Sequence, residues 1–129
     1  MQAAEQNRGT YLDTTLLDPQ DTTVLMRIDM TPGITTTNLL QTALPVINAL
    51  RRQGGYQELD LSYTTFEGYP ALHWEFVVNE RGQLMRKEDE FFVDGSGNEF
   101  GILTQAPDSV YSSVTDGFAA LRGTFITFG

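Results

Sequence analysis

Residues 56–104 constrain the fold of this chain more than any other part of its sequence. Four segments in this stretch are rich in apolar, aromatic and β-branched residues, and short polar turns separate them. The four segments are 56–63, 70–78, 84–93 and 100–104. Consecutive strands joined by tight turns form an antiparallel meander. We therefore predict an antiparallel sheet as the framework of the fold, followed by one helix near the C-terminus.

Alternation along residues 70–78 separates their side chains onto two faces of the predicted sheet. One set is apolar and is predicted to face the core: Leu72, Trp74, Phe76 and Val78. The other set includes His73 and Glu75. If residues 79–82 form the turn, a simple register places Glu75 opposite Arg86 and His73 opposite Glu88. These four polar residues are then expected on one face, away from the apolar set.

A helix is predicted before the meander, because apolar residues recur there at intervals of three and four. They are Leu39, Leu40, Ala43, Leu44, Ile47 and Leu50. One of the threonines at positions 35–37 is expected to cap the helix. Pro45 is expected to kink or split it, since proline removes a backbone hydrogen bond inside a helix. Upstream, residues 11–17 and 23–30 are predicted to form two more strands, and residues 1–9 a flexible leader.

A second helix is predicted over residues 110–121, after Pro107. Residues 91–93 and 102–103 are apolar on both sides of their strands, so both faces of the sheet should be covered. The expected fold class is therefore α+β, with an antiparallel sheet of about five to six strands sandwiched between helices. At 129 residues, the chain is expected to form a single domain over positions 10–129.

The charge balance excludes some classes of partner. The chain has 17 acidic and 8 basic residues and a formal charge of −9, which disfavours binding to nucleic acid or to anionic membranes. No apolar run is long enough to span a bilayer, so no membrane insertion is predicted. Cysteine is absent, which excludes disulfides and thiolate metal sites. An acidic surface favours a cationic partner, whether a protein or a small ligand.

No catalytic residue, metal site or cofactor is predicted from motifs. Residues 94–98 begin like a calcium-binding loop, but Glu99 and Gln105 stand where that motif needs glycine and glutamate, so a hairpin turn is expected. The acidic run at 88–90 is interpreted as a strand end emerging into solvent. His73 is the only histidine. Together with its neighbours on the predicted face it gives the candidate binding set: His73, Glu75, Arg86 and Glu88.

Several motifs resemble one family. The similarity is to the PsbP/Mog-like fold, and it lies in residues 56–61, residues 68–76 (GYPALHWEF), Arg86 followed by residues 92–95, and residues 106–107 followed by four apolar positions. The four positions are Tyr111, Phe118, Leu121 and Phe125. The resemblance spans about residues 24–126 and is closest to extracytoplasmic domains of bacterial lipoproteins and receptor-like Ser/Thr kinases. It implies an α/β/α arrangement, a non-catalytic role, and an additional strand and tryptophan-containing turn before Tyr11, a point at which this sequence departs from the pattern.

The leading hypothesis is a non-catalytic ligand-binding or protein-binding module, acting in sensing or assembly, as the exported part of a larger protein. One alternative is a small cone-shaped α+β enzyme in which His73 and an acidic neighbour transfer a proton inside a deep apolar cavity. Another alternative is a structural spacer or oligomerisation domain. A filled core with His73 at or near the surface favours the binding module over the enzyme.

Overall fold

The computed structural model describes residues 2–8, 11–32 and 38–123, with side chains from residue 15 onward. This part of the chain forms seven strands, two α-helices and one short 3-10 turn. The strands are β1 (Gln2–Arg8), β2 (Tyr11–Leu17), β3 (Leu25–Thr31), β4 (Gln57–Phe66), β5 (Tyr69–Glu80), β6 (Gln83–Val93) and β7 (Glu99–Pro107). The α-helices are α1 (Leu39–Arg51) and α2 (Tyr111–Gly123), and the 3-10 turn (Asp108–Val110) leads into α2.

The seven strands form one sheet in the order β1-β2-β3-β7-β6-β5-β4, and every neighbouring pair is antiparallel. The last strand, β7, lies in the middle because it pairs with β3 on one side and β6 on the other. This arrangement joins the early hairpin of β2 and β3 to the later meander. The predicted α+β class with an antiparallel sheet is confirmed. In the described residues, no helix combines the length and apolar character that a membrane crossing requires.

The sheet has one strand more than the predicted five to six. This strand is β1, and it corrects the prediction that residues 1–9 form a flexible leader. Gln2–Arg8 pairs with β2 along its whole length, from Gln2 opposite Leu17 to Arg8 opposite Tyr11. Backbone hydrogen bonds hold an edge strand whatever its side chains are, so a polar segment can pair without any apolar alternation. Residues 1 and 9 lie outside the described part of the chain, as do the predicted cap at 35–37 and residues 124–129.

The helix α1 covers one face of β5. Its N-cap is Asn38, whose side-chain oxygen accepts a hydrogen bond from the backbone N–H of Gln41 at 3.1 Å. The helix continues through Pro45 to Arg51. Its apolar stripe packs on the predicted core set of β5 in one buried cluster, which includes Leu39, Ala43, Ile47, Leu72, Trp74, Phe76, Val78 and Met85.

The helix α2 covers the opposite face of the sheet. Tyr111 and Phe118 are buried there against side chains from β3, β5, β6 and β7. The buried members of this second cluster from the sheet and the loop before β3 are Val24, Met26, Ala71, Phe92, Phe100, Ile102 and Ala106. Adjacent residues of β5, Ala71 and Leu72, belong to different clusters, as alternation along a strand requires. The sheet therefore has a helical layer on each side, as predicted.

The hairpin between β5 and β6 corrects the predicted register. Glu80 pairs with Gln83, so the turn consists of only two residues, Arg81 and Gly82. Both have positive φ values, 55° and 83°, which is the backbone of a tight two-residue hairpin turn. The predicted four-residue turn placed every partner two positions too early. Because a shift of two residues leaves each side chain on its original face, the four candidate residues still share one face.

Candidate functional site

The α2 side of the sheet carries a group of charged side chains, here called the charged layer. It consists of His73, Glu75, Arg86, Glu88, Glu90 and Arg122. Strands β5 and β6 supply five of these residues, and α2 supplies Arg122. Glu75 lies opposite Glu88 and His73 lies opposite Glu90. The structure thus brings all four predicted site residues together, with two further members, Glu90 and Arg122, that sequence reasoning did not select.

His73 is held by carboxylates on both sides of its ring. Its Nδ1 forms a hydrogen bond with Glu90, and its Nε2 lies 3.5 Å from Oε1 of Glu75 and 3.8 Å from Oδ2 of Asp60. The hydrogen bond to Glu90 outweighs burial and raises the pKa of His73 to about 9. The ring is therefore a cation at neutral pH. A protonated imidazole cannot accept a proton, so it does not serve as the base of the enzyme hypothesis in this state.

The two arginines neutralise the remaining carboxylates of the charged layer. Arg86 donates from Nε to Oε2 of Glu75 at 2.8 Å, and its guanidinium lies 5.0 Å from the centre of the Tyr111 ring. Arg122 donates from one terminal nitrogen to Oε2 of Glu88 at 2.7 Å. The side chain of His73 is 19% exposed and that of Glu75 is 13% exposed. The predicted binding set is thus a mostly covered ion-pair network, and its role in recognising a partner stays a prediction.

The α1 side of the sheet contains a second polar feature, here called the acidic cleft. It is a cavity of about 250 Å³ between α1 and the strands of the sheet. Its lining residues are Arg27, Asp29, Leu39, Thr42, Ala43, Val46, Trp74, Asp89, Phe91 and Glu99. Strands β3, β6 and β7 contribute one carboxylate each, and α1 contributes most of the apolar wall. The cleft therefore combines a floor of three acidic side chains and Arg27 with an apolar wall.

Asp89 is the exceptional residue of the acidic cleft. Within the described residues, its carboxyl group has no hydrogen bond and no cation within 4.0 Å, although it lies in the middle of β6 opposite Trp74 and Leu103. Burial is the main reason that the pKa of Asp89 rises to about 8; Arg27 opposes the shift and the nearby Asp29 adds to it. Asp89 is only partly exposed, at the wall of the cavity, and a partly covered carboxyl group without a partner is costly, so its presence needs a physical reason.

The neighbours of Asp89 do not neutralise it. Arg27 donates from Nε to Oδ2 of Asp29 at 3.3 Å, so its charge is already engaged. Burial also raises the pKa of Glu99 above its ordinary value. Sequence reasoning missed this site because it interpreted residues 88–90 as a solvent-exposed strand end. The alternation of β6 does place Asp89 on the core face, and that was the one signal available.

Comparison with known proteins identifies the fold of the chain but not its function. No protein-family model matches the sequence, and no curated protein matches it. Among solved structures, the protein of unknown function PA94 from Pseudomonas aeruginosa, proposed to be a regulator, has a TM-score of 0.70 at 8% identity. That similarity covers 96% of this chain and 86% of PA94.

Two other solved structures share the same architecture. LpqN of Mycobacterium tuberculosis, which is involved in cell envelope biogenesis, has a TM-score of 0.58 at 14% identity and covers 95% of this chain and 80% of its own. CyanoP, the cyanobacterial PsbP of Synechocystis sp. PCC 6803, has a TM-score of 0.61 at 10% identity and covers 98% of this chain and 92% of its own. Identities this low carry information about the fold alone. The chain has a PsbP-like fold, as the sequence motifs predicted.

Proposed function

We propose that this protein is a non-catalytic binding module that takes a basic side chain of a partner protein into the acidic cleft. The unpaired carboxyl group of Asp89 is the observation that carries the proposal. With its pKa raised to about 8, Asp89 is mostly protonated in the free protein at neutral pH; a cation that enters the cleft favours loss of this proton and gives the resulting carboxylate the partner that the chain itself does not supply. The free energy that burial of Asp89 costs is then recovered on binding.

The size of the acidic cleft favours a side chain over a larger ligand. Its volume of about 250 Å³ lies below the roughly 300–1,000 Å³ of ordinary small-molecule pockets. Its walls include Leu39, Ala43 and Phe91, which suit the methylene stem of lysine or arginine. Val46 also lines the cleft, and it is 59% exposed, which offers apolar contact area to the surface around such a side chain. The formal charge of −9 attracts basic partners over a longer range.

The non-catalytic part of the proposal is supported by the charged layer. His73 is the only histidine, and it is a paired cation at neutral pH. Its neighbours Glu75 and Glu88 are each paired with an arginine. The proposal also includes a location outside the cytoplasm, in line with the cell-envelope role of LpqN and with the predicted resemblance to exported domains. Fractionation of the source cells, with the protein detected by antibody, tests this location.

Trp74 provides a direct assay for the acidic cleft, because it lines the cleft and is the only tryptophan. We expect n-butylguanidinium to change the fluorescence of Trp74 saturably. A binding free energy of roughly 0.5 kcal/mol for each non-hydrogen atom of the probe corresponds to a dissociation constant in the millimolar range. The neutral analogue n-butanol should change the fluorescence much less. The variant Asp89→Asn should lose most of the response, and Asp108→Asn, which changes an exposed acid outside the cleft, should keep it.

The outcome that contradicts the proposal is equally specific. If n-butylguanidinium and n-butanol give the same response, the cleft does not select a cation. If Asp89→Asn responds as the unmodified protein does, the binding does not depend on the carboxyl group of Asp89.

A further inference from the structure

We propose that His73, Glu75 and Glu88 form a binding site for a divalent transition-metal ion, on the sheet face opposite the acidic cleft. This site is independent of the proposed function. Each of the three residues offers one ligand atom, and these atoms lie within 4.8 Å of one another. A small movement of the side chains brings them to the spacing of ligands around one ion, whose bonds to nitrogen and oxygen are about 2.0–2.2 Å long.

The ion pairs of the charged layer leave donor atoms for such an ion. Both hydrogen bonds from Arg86 go to Oε2 of Glu75, and Arg122 uses Oε2 of Glu88. Neither arginine therefore uses the Oε1 atoms of these carboxylates. The Oε1 atom of Glu75 is the one that lies 3.5 Å from Nε2 of His73. The arginines would hold the carboxylates in place while the other oxygens face the ion.

Glu90 orients the imidazole in the way that metal sites require. It binds Nδ1 of His73, so that Nε2 is the nitrogen directed toward Glu75. A histidine that binds a metal through one nitrogen usually donates the other N–H group to a carboxylate or carbonyl. Oδ2 of Asp60 lies 3.8 Å from the same Nε2 and is positioned to act as a fourth ligand.

The charges of the site also favour a divalent ion. Four carboxylates surround three cations when His73 is protonated: Glu75, Glu88, Glu90 and Asp60 against Arg86, Arg122 and His73. Replacing the imidazole proton by a divalent ion makes these seven groups neutral together. In the described part of the chain, Oε2 of Glu90 and Nε of Arg122 are also buried without a hydrogen-bond partner, which often marks a site where water or an ion belongs.

The donor set determines which ion to use as a probe. One imidazole nitrogen with carboxylate oxygens suits Zn²⁺ and its first-row neighbours better than Ca²⁺ or Mg²⁺, which prefer oxygen alone. Side-chain exposures of 13% for Glu75, 17% for Glu88 and 19% for His73 leave an entry path from solvent.

Metal binding at this site can be tested directly by NMR, because His73 is the only histidine of the chain. Zn²⁺ is titrated into metal-free protein labelled with ¹⁵N, and the ring nitrogens of His73 are observed by NMR alongside calorimetry. We expect one ion per chain and a large shift of the Nε2 resonance. His73→Gln and Glu75→Gln should each weaken binding at least about 10-fold, and Glu90→Gln by roughly 10-fold through loss of orientation. Glu80→Gln, which changes an exposed acid elsewhere on β5, should leave the affinity unchanged.

The spectrum of the unmodified protein decides the question even if a variant fails to fold. If the ring-nitrogen resonances of His73 do not shift at about 1 mM Zn²⁺, the proposal is overturned, since a metal site built into a protein binds far more tightly than this. A shift of Nδ1 alone, or undiminished binding by a folded His73→Gln variant, overturns it as well. None of these results bears on the fluorescence response at the acidic cleft, so the two proposals fail separately.

Discussion

Replacing Asp89 by asparagine should stabilise the protein at neutral pH and not at acidic pH. The side chain keeps its size, but the group can no longer carry a charge. In the folded protein burial raises the pKa of Asp89 to about 8, compared with 3.8 for the ordinary group. At a pH between these two pKa values, Asp89 has lost its proton in the unfolded chain but retains it in the folded protein. Raising the pH through this window therefore favours unfolding, and the variant is free of this effect.

The size of the effect follows from the same two pKa values. Each pH unit above 3.8 lowers the free energy of unfolding by about 1.4 kcal/mol until the folded-state pKa is reached. At pH 7 the accumulated loss is at most about 4 kcal/mol, a large part of the roughly 5–15 kcal/mol that stabilises an ordinary domain. The buried amide of asparagine also lacks a partner and costs about 1–3 kcal/mol. We therefore expect Asp89→Asn to be about 1–3 kcal/mol more stable than the unmodified protein at pH 7, and about 1–3 kcal/mol less stable near pH 4, where only the cost of the amide remains.

Urea denaturation followed by circular dichroism measures this difference. The unmodified protein and Asp89→Asn are compared at several pH values between 4 and 8 in buffer that contains a chelator. Asp108→Asn, an exposed substitution, is the matched control and should follow the unmodified protein at every pH. The reasoning is refuted if the curves of Asp89→Asn and the unmodified protein run parallel, because the carboxyl group would then titrate normally in the folded state.

Three further predictions concern stability. Asp94→Ala should lose about 1–3 kcal/mol in urea denaturation, because its carboxylate accepts two backbone N–H groups of its own turn at 2.9 and 3.0 Å; a change below about 0.5 kcal/mol would contradict this. Ile47→Ala should cost about 2–5 kcal/mol, because Ile47 is 0% exposed between α1 and the sheet, whereas Leu84→Ala at a position 50% exposed should cost far less. Gly82→Ala should cost about 1–2 kcal/mol at φ 83°, even though nothing lies within 4 Å of an added Cβ; equal stability would argue against this turn.

The parts of the fold that could be predicted are those in which local pattern and tertiary packing agree. Leu72 and Trp74 alternate with polar residues, and both are buried under α1 as expected. The hairpin register was wrong by two positions because the sequence between Asn79 and Gly82 does not show which residues form the turn. Only the backbone shows that Arg81 and Gly82 alone reverse the chain. The assignment of side chains to the two faces of the sheet was still correct, because it depends only on whether a position is odd or even.

The parts that could not be predicted depend on which distant segments meet. The polar strand β1 forms because the edge of β2 is available to it. Its sequence has no alternation of apolar and polar residues that would predict this pairing. The surroundings of Asp89 likewise include Arg27 and Asp29 from β3, which reach the same cavity because β7 pairs with both β3 and β6. Alternation in residues 86–90 places Asp89 on the core face, but nothing in these residues indicates that it has no partner there.

The run from Arg86 to Glu90 explains how one strand contributes to two separate sites. Alternation sends Glu88 and Glu90 to the α2 face, where Arg122 and His73 pair with them, and sends Asp89 to the α1 face, where it has no such partner. Three adjacent acidic residues are tolerated in the sheet because alternation separates their side chains and because Asp89, with its pKa raised to about 8, is mostly uncharged at neutral pH. A substitution of Asp89 should therefore leave the ring resonances of His73 nearly unchanged, and a substitution of Glu90 should change the response of the acidic cleft to cations only slightly, since Glu90 is a minor cause of the raised pKa of Asp89. The direct link between the two sites is the Coulombic effect of Glu90 on Asp89, because the seven hydrogen-bonded strands oppose deformation of the sheet.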